Sequence, residues 1–174
     1  MKTGLIALAA AVVLAGATPA LAQTAAPAAA TPGLAITEVS AWLASKGGEV
    51  GPVRREGDET FFMVKDGPLN WALFFYGCQA DVCGDVQFSA VFSNPGVTLD
   101  KVNEWNREQR FLKAFYLPAA ETGAAPSAAI QYDVLIHQGG VDQLTDPATV
   151  WIGLLGQFAT HIGYLAPAAA PPAQ

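Results

Sequence analysis

Residues 86–92 read Val-Gln-Phe-Ser-Ala-Val-Phe, and their alternation decides the fold. Val86, Phe88, Ala90 and Phe92 fall on one side of an extended chain, and Gln87, Ser89 and Val91 on the other. That is the period-two pattern of a half-buried strand. Toward the N-terminus, residues 70–76 (NWALFFY) are aromatic-rich and predict a central strand. Asp66-Gly67-Pro68 turns the chain before it, and Gly57-Asp58 joins two β-prone segments, 50–56 and 60–65, as a hairpin. Ahead of these, 37–46 carries Val39, Trp42 and Leu43 at i, i+3 and i+4, with Thr37 as a capping-type opening. This predicts a helix stopped by Gly47-Gly48.

Toward the C-terminus, Asn94-Pro95-Gly96 ends the alternating strand. Residues 98–110 (TLDKVNEWNREQR) predict a second helix, with Thr98 as N-cap, Asp100 in the first turn, and Leu99 and Val102 toward the core. A strand at 112–117, a loop at 121–127 and a second alternating strand at 130–136 follow, before a Gly139-Gly140 turn. A last helix starts near Asp146-Pro147, with Asp as cap and Pro at the first helical position. Its apolar face is Val150, Trp151, Leu154, Leu155, Phe158 and Ile162. The order is helix, four strands, helix, two strands, helix. Short turns favour antiparallel neighbours, so the expected fold is α+β: a single mostly antiparallel sheet of about five to six strands with three helices on one face.

The ends of the chain differ in composition from this segment. Met1-Lys2, the apolar run 5–15 and Ala20-Leu21-Ala22 have the layout of a secretory signal peptide, residues 1–22, cleaved after Ala22. Residues 23–33 and 166–174 are Ala/Pro-rich, too poor in large apolar groups to fold, and are expected to be a disordered linker and tail. One domain, 34–165, lies between them. The expected location is the periplasm. No second long apolar run and no cysteine just after Ala22 suggest a membrane anchor. Loss of Lys2 with the leader takes the formal charge from −6 to −7. Phosphate contacts need clustered Lys and Arg, so nucleic acid is not an expected partner.

Cys78 and Cys83 stand at the ends of consecutive strands, and in an oxidising compartment they are expected to form a disulfide that pins the hairpin. Their spacing is not C-x-x-C, and with His137 and His161 the only histidines, no metal site or cofactor is expected. The second helix is the unusual segment. Asparagine is a mediocre helix former, so Asn103 and Asn106 one turn apart imply a hydrogen-bonding task. One task is structural, the amides satisfying backbone groups at a sheet edge or the Cys loop. The other is functional: Asn103, Trp105, Asn106, Arg107 and Arg110 lining a polar binding groove.

The runs Phe75-Tyr76-Gly77-Cys78, Val86-Gln87-Phe88, 102–111 (VNEWNREQRF), Tyr132-Asp133 and Gly139-Gly140-Val141 carry a resemblance over about 37–158. They resemble the YbjN-like family, described in terms of bacterial sensory transduction regulation. The resemblance implies an α+β fold similar to type III secretion chaperones, which bind other proteins and dimerise. It transfers no catalytic residues. Residue by residue, catalysis also has little footing: the serines have no recognisable nucleophile elbow, and Asp133 and His137, on the same side of a strand by period two, form the kind of pair that more often faces solvent than works as a dyad.

The expectation is thus a periplasmic, non-catalytic protein-binding or chaperone-like module, whose partner is another protein or a second copy. Its surface would be the sheet face opposite the helices or the groove beside Asn103 to Arg110; Trp71, Phe61 and Phe75 supply more aromatics than one thin core obviously needs, although core packing is the usual fate of each one individually. The alternative is a small-ligand or envelope-stress sensor using the groove beside Asn103–Arg110.

Overall fold

A computed structural model describes residues 33–166. The leader 1–22, and all of the linker and tail except Gly33 and Ala166, lie outside the described residues. The chain begins with a two-residue strand, β1 (Leu34–Ala35), and helix α1 (Ile36–Ser45). Thr37 is not the cap: the N-cap is Ala35, without a side-chain bond. The β1 pairing fixes the entry instead. The stop at Gly47-Gly48 is as expected. The Gly47 N–H donates to Ala44 O and the Gly48 N–H to Leu43 O, both at 3.1 Å, with Gly47 at φ +96°. This is a Schellman closure, which glycine enters without a Cβ penalty.

The predicted strand 50–56 is broken. Gly51-Pro52-Val53 interrupts it, leaving β2 (Glu49–Val50) and β3 (Arg54–Glu56), both paired with β4 (Glu59–Asp66). Proline cannot donate to a ladder, so it splits an edge strand where it falls. β5 (Leu69–Tyr76), the short β6 (Val82–Cys83) and β7 (Asp85–Ser93) follow. Then come α2 (Leu99–Glu108), β8 (Lys113–Leu117), β9 (Ser127–Leu135), a 3-10 turn at Val141–Leu144 and α3 (Thr145–His161). Seven strands form one antiparallel sheet in the order β2-β4-β5-β7-β9-β8, with β3 also on β4, while β1 and β6 make a separate pair. The α+β expectation holds, with the sheet divided more finely than expected.

Register assigns the faces. Phe62, Val64, Trp71, Leu73, Phe75, Val86, Phe88, Ala90, Phe92 and Ile130 point to one side and are buried with the apolar stripes of the three helices. Trp151 of α3 is fully buried, with ring centroids 5.9 Å from Trp71 and 5.6 Å from Phe88. Burying an aromatic of this size contributes roughly 2–3 kcal/mol of transfer free energy. α3 starts two residues earlier than expected, on Thr145, so Asp146 lies inside its first turn and Pro147 past its first position. The preceding 3-10 turn delivers the chain in helical geometry, with αR torsions at the Leu144 N-cap, so no side-chain cap is used. Among the described residues no helix is long and apolar enough to cross a membrane.

Candidate functional site

α2 starts as its sequence dictates: Thr98 is the N-cap and its hydroxyl accepts from the Lys101 N–H at 3.2 Å. It ends two residues early. Gln109 turns extended (φ −103°, ψ 132°), which delivers Leu112 to the core and opens β8. Arg110 therefore lies off the helix. Leu99, expected to face the core, is exposed, while Val102 is buried.

The five proposed groove residues separate. Trp105 is a core residue, 3 % exposed, its ring 5.0 Å from Phe158 and its indole N–H donating to Leu112 O at 3.2 Å. Asn106 has the structural task. Its Nδ2 donates to Ala114 O and its Oδ1 accepts from the Ala114 N–H, both at 2.8 Å. One primary amide thus imitates the missing neighbour strand on the outer side of β8, an edge whose free backbone groups would otherwise invite pairing with another chain. Asn103 and Arg107 are exposed. Arg110 borders a shallow depression of about 380 Å³ with Phe111, Val150 and Leu154, and stacks at 5.3 Å on Phe111. Asn103, Trp105, Asn106 and Arg107 do not line that depression. The α2–α3 contact is closed by His161, whose Nε2 lies 2.8 Å from Lys101 O.

Cys78 and Cys83 form the expected disulfide. Between them, Gln79 and Val82 exchange both backbone hydrogen bonds (2.8 and 3.1 Å), and Ala80 and Asp81 sit at φ +48° and +66°. Two positive-φ central residues are the signature of a type I′ hairpin, here built without glycine. The tip holds the N-terminal end of the domain: Leu34 pairs with Cys83 and Ala35 with Val82, and the Ile36 N–H donates to Asp81 O at 3.0 Å. Arg55 adds a 2.7 Å bond to Asp81. Both side chains of that pair are exposed, so it contributes little.

The sheet face away from the helices has a different make-up from that expected. Trp71 and Phe75 lie on the helix side and are buried, and Phe61, its ring tilted against Phe74 at 5.0 Å, is on the open side yet also buried. The apolar groups that this face exposes are Met63, Tyr76, Val91, Phe115, Leu117 and Leu135. Val91 and Phe115 flank Ala129 in one cross-strand row, 57 % and 46 % exposed. Sequence alternation marked Val91 as outward, but β8 showed no alternation by which to orient Phe115. The Tyr76 phenol is held above its ordinary pKa of 10.0 by burial first, then by the nearby Glu59 and Asp133 carboxylates.

The acid and histidine of the 133–137 strand end make local hydrogen bonds. Asp133 accepts from Gln87 Nε2 at 2.6 Å, and the His137 backbone N–H donates to Gln143 Oε1 at 2.8 Å. Among the described residues no group of three or more His, Cys, Asp or Glu could hold a metal ion. The YbjN family model, described as "Putative bacterial sensory transduction regulator", matches residues 35–163. No curated protein and no solved structure matches the chain.

Proposed function

The chain belongs to the YbjN family, and from that premise we propose that it is a secreted periplasmic protein that works without catalysis, as a protein-binding or chaperone-like module with a regulatory role. Export is supported by the leader layout at 1–22 and by the Cys78–Cys83 bond, which suits an oxidising compartment. The observation that carries the binding role is the open sheet face, where Val91 on β7 and Phe115 and Leu117 on β8 stand on either side of β9, with no helix among the described residues packed over them. Exposed apolar side chains grouped in this way mark interaction surfaces. The partner is another protein or a second copy of this chain. The alternative, a small-ligand or envelope-stress sensor beside Asn103–Arg110, has less support, since Trp105 is buried and Asn106 is committed to Ala114.

The test is a paired pull-down from periplasmic extract, with the tagged chain and a Val91→Asp/Phe115→Asp variant, alongside the mass of each in solution. A partner or dimer present with the wild type and lost with an equally folded variant is the expected result. Equal retention by both would remove the sheet face from the account.

A further inference from the structure

On the helix side of the sheet, the C-terminal end of α1 and the first turns of α3 do not close over β5. They leave two cavities of about 270 and 370 Å³, which share Trp42, Lys46, Ala148 and Ile152 as walls. The deeper one also reaches Trp71 and Asp66, and the outer one reaches Thr145 and Thr149. Mostly apolar walls with a few polar groups are the usual make-up of a small-molecule site, and these volumes are near its lower bound.

Three features give the cleft a chemical preference. Trp42 and Trp71 are 8 % and 2 % exposed, and the indole N–H of each is buried without a hydrogen-bond partner. Buried donors are normally satisfied; the Trp151 indole and Asn94 amide nitrogens are also unpaired among the described residues, and of the four only Trp42, on α1, and Trp71, on β5, belong to residues that line the cleft. Lys46 lies at the mouth, its Nζ 5.6 Å from the centre of the Trp42 ring, and it makes no ion pair among the described residues. The outer cavity, finally, abuts the first turn of the 17-residue α3, the positive end of its dipole. Asp66 borders only the deeper cavity, so an anion belongs in the outer one.

We infer that this cleft binds a small carboxylate with an apolar body. The body packs against Trp71 and Ile152, and the carboxylate accepts from Lys46 and the Trp42 indole as the mouth side chains move aside. This ligand site is separate from the open sheet face and stands or falls independently of it.

The probe is 3-phenylpropionate, with 3-phenylpropanamide as its uncharged counterpart. Each is titrated into the full chain while the four tryptophan indole N–H signals are followed by nitrogen-15 NMR. The expected result is a saturable shift at Trp42, none at Trp105, whose N–H is already bonded to Leu112 O, and acid binding about tenfold tighter than amide binding. Lys46→Gln, an exposed change, should reduce the acid to the level of the amide. Ile152→Trp, which fills the mouth from a partly exposed position, should abolish both. No saturable shift at Trp42, equal binding of acid and amide, or unchanged binding by the Lys46→Gln variant would each overturn the inference.

Discussion

Asn106→Ala tests the assignment of this side chain to the sheet edge. The substitution removes two 2.8 Å hydrogen bonds to Ala114 and leaves that residue's N–H and C=O facing outward from β8. Each bond has a net worth of about 0.5–1.5 kcal/mol, and the site is only partly buried, so water recovers some of the loss. A destabilisation of about 1–2 kcal/mol is expected. For a domain of this size that corresponds to a melting temperature lower by about 3–6 °C. Asn106→Asp should do no better at neutral pH, because a carboxylate can accept from the Ala114 N–H but turns a second oxygen toward Ala114 O. Asn103→Ala, one turn earlier and exposed, is the control and should stay within about 0.5 kcal/mol of wild type. The assays are urea and thermal unfolding by circular dichroism, with hydrogen exchange at the Ala114 amide as the local readout. That amide should exchange faster in Asn106→Ala while the β7–β9 amides keep their order. An unchanged melting temperature, or an Asn103→Ala loss as large as that of Asn106→Ala, would refute the edge-capping account.

Two further predictions concern other parts of the fold. Reduction of Cys78–Cys83, or the double change to serine, should lower stability by about 2 kcal/mol on loop-entropy grounds, and should free the β1–β6 pairing first. Thiol titration combined with exchange at the Leu34 and Cys83 amides checks this, and equal protection with and without reductant would contradict it. For Tyr76, the folded state favours the neutral phenol, so its contribution is fully present below the ordinary pKa of 10.0 and is lost as pH rises through the higher folded value. Tyr76→Phe should therefore flatten the loss of stability above about pH 10. Superimposable wild-type and variant stability profiles from pH 8 upward would show that the phenol plays no part.

Part of the candidate site was legible in the amino-acid sequence. The need of Asn106 for a backbone partner followed from the poor fit of asparagine to a helix interior, and a sheet edge was one of the two partners that the sequence allowed. The identity of the partner, Ala114, was hidden because α2 ends at Glu108 rather than running to Arg110. That early end is a tertiary effect: Phe111-Leu112 follows directly, and Leu112 is 1 % exposed in the core. The grouping of Trp105 with the polar residues failed for a similar reason. An indole beside asparagines reads as a recognition surface until its ring is seen against Phe158, fifty-three residues away in sequence.

Local patterns were enough for the three helices and the main strands between them, though not for β1, the split of β2 from β3, β6 or the 3-10 turn, and for the alternating faces of β7 and β9, the Thr98 cap, the Gly47-Gly48 stop and the Cys78–Cys83 hairpin. Each depends on torsional preferences and on spacings of a few residues, which the chain carries wherever it goes. Tertiary structure decided which side of β5 the helices cover. It thereby buried Trp71 and Phe75 and left Val91 and Phe115 exposed. It also joined Leu34 to Cys83, and brought Lys46 to Ile152 across the α1–α3 cleft. These outcomes come from excluding water between surfaces far apart in sequence, and the energy of that exclusion belongs to the pair of surfaces, so neither segment alone encodes it.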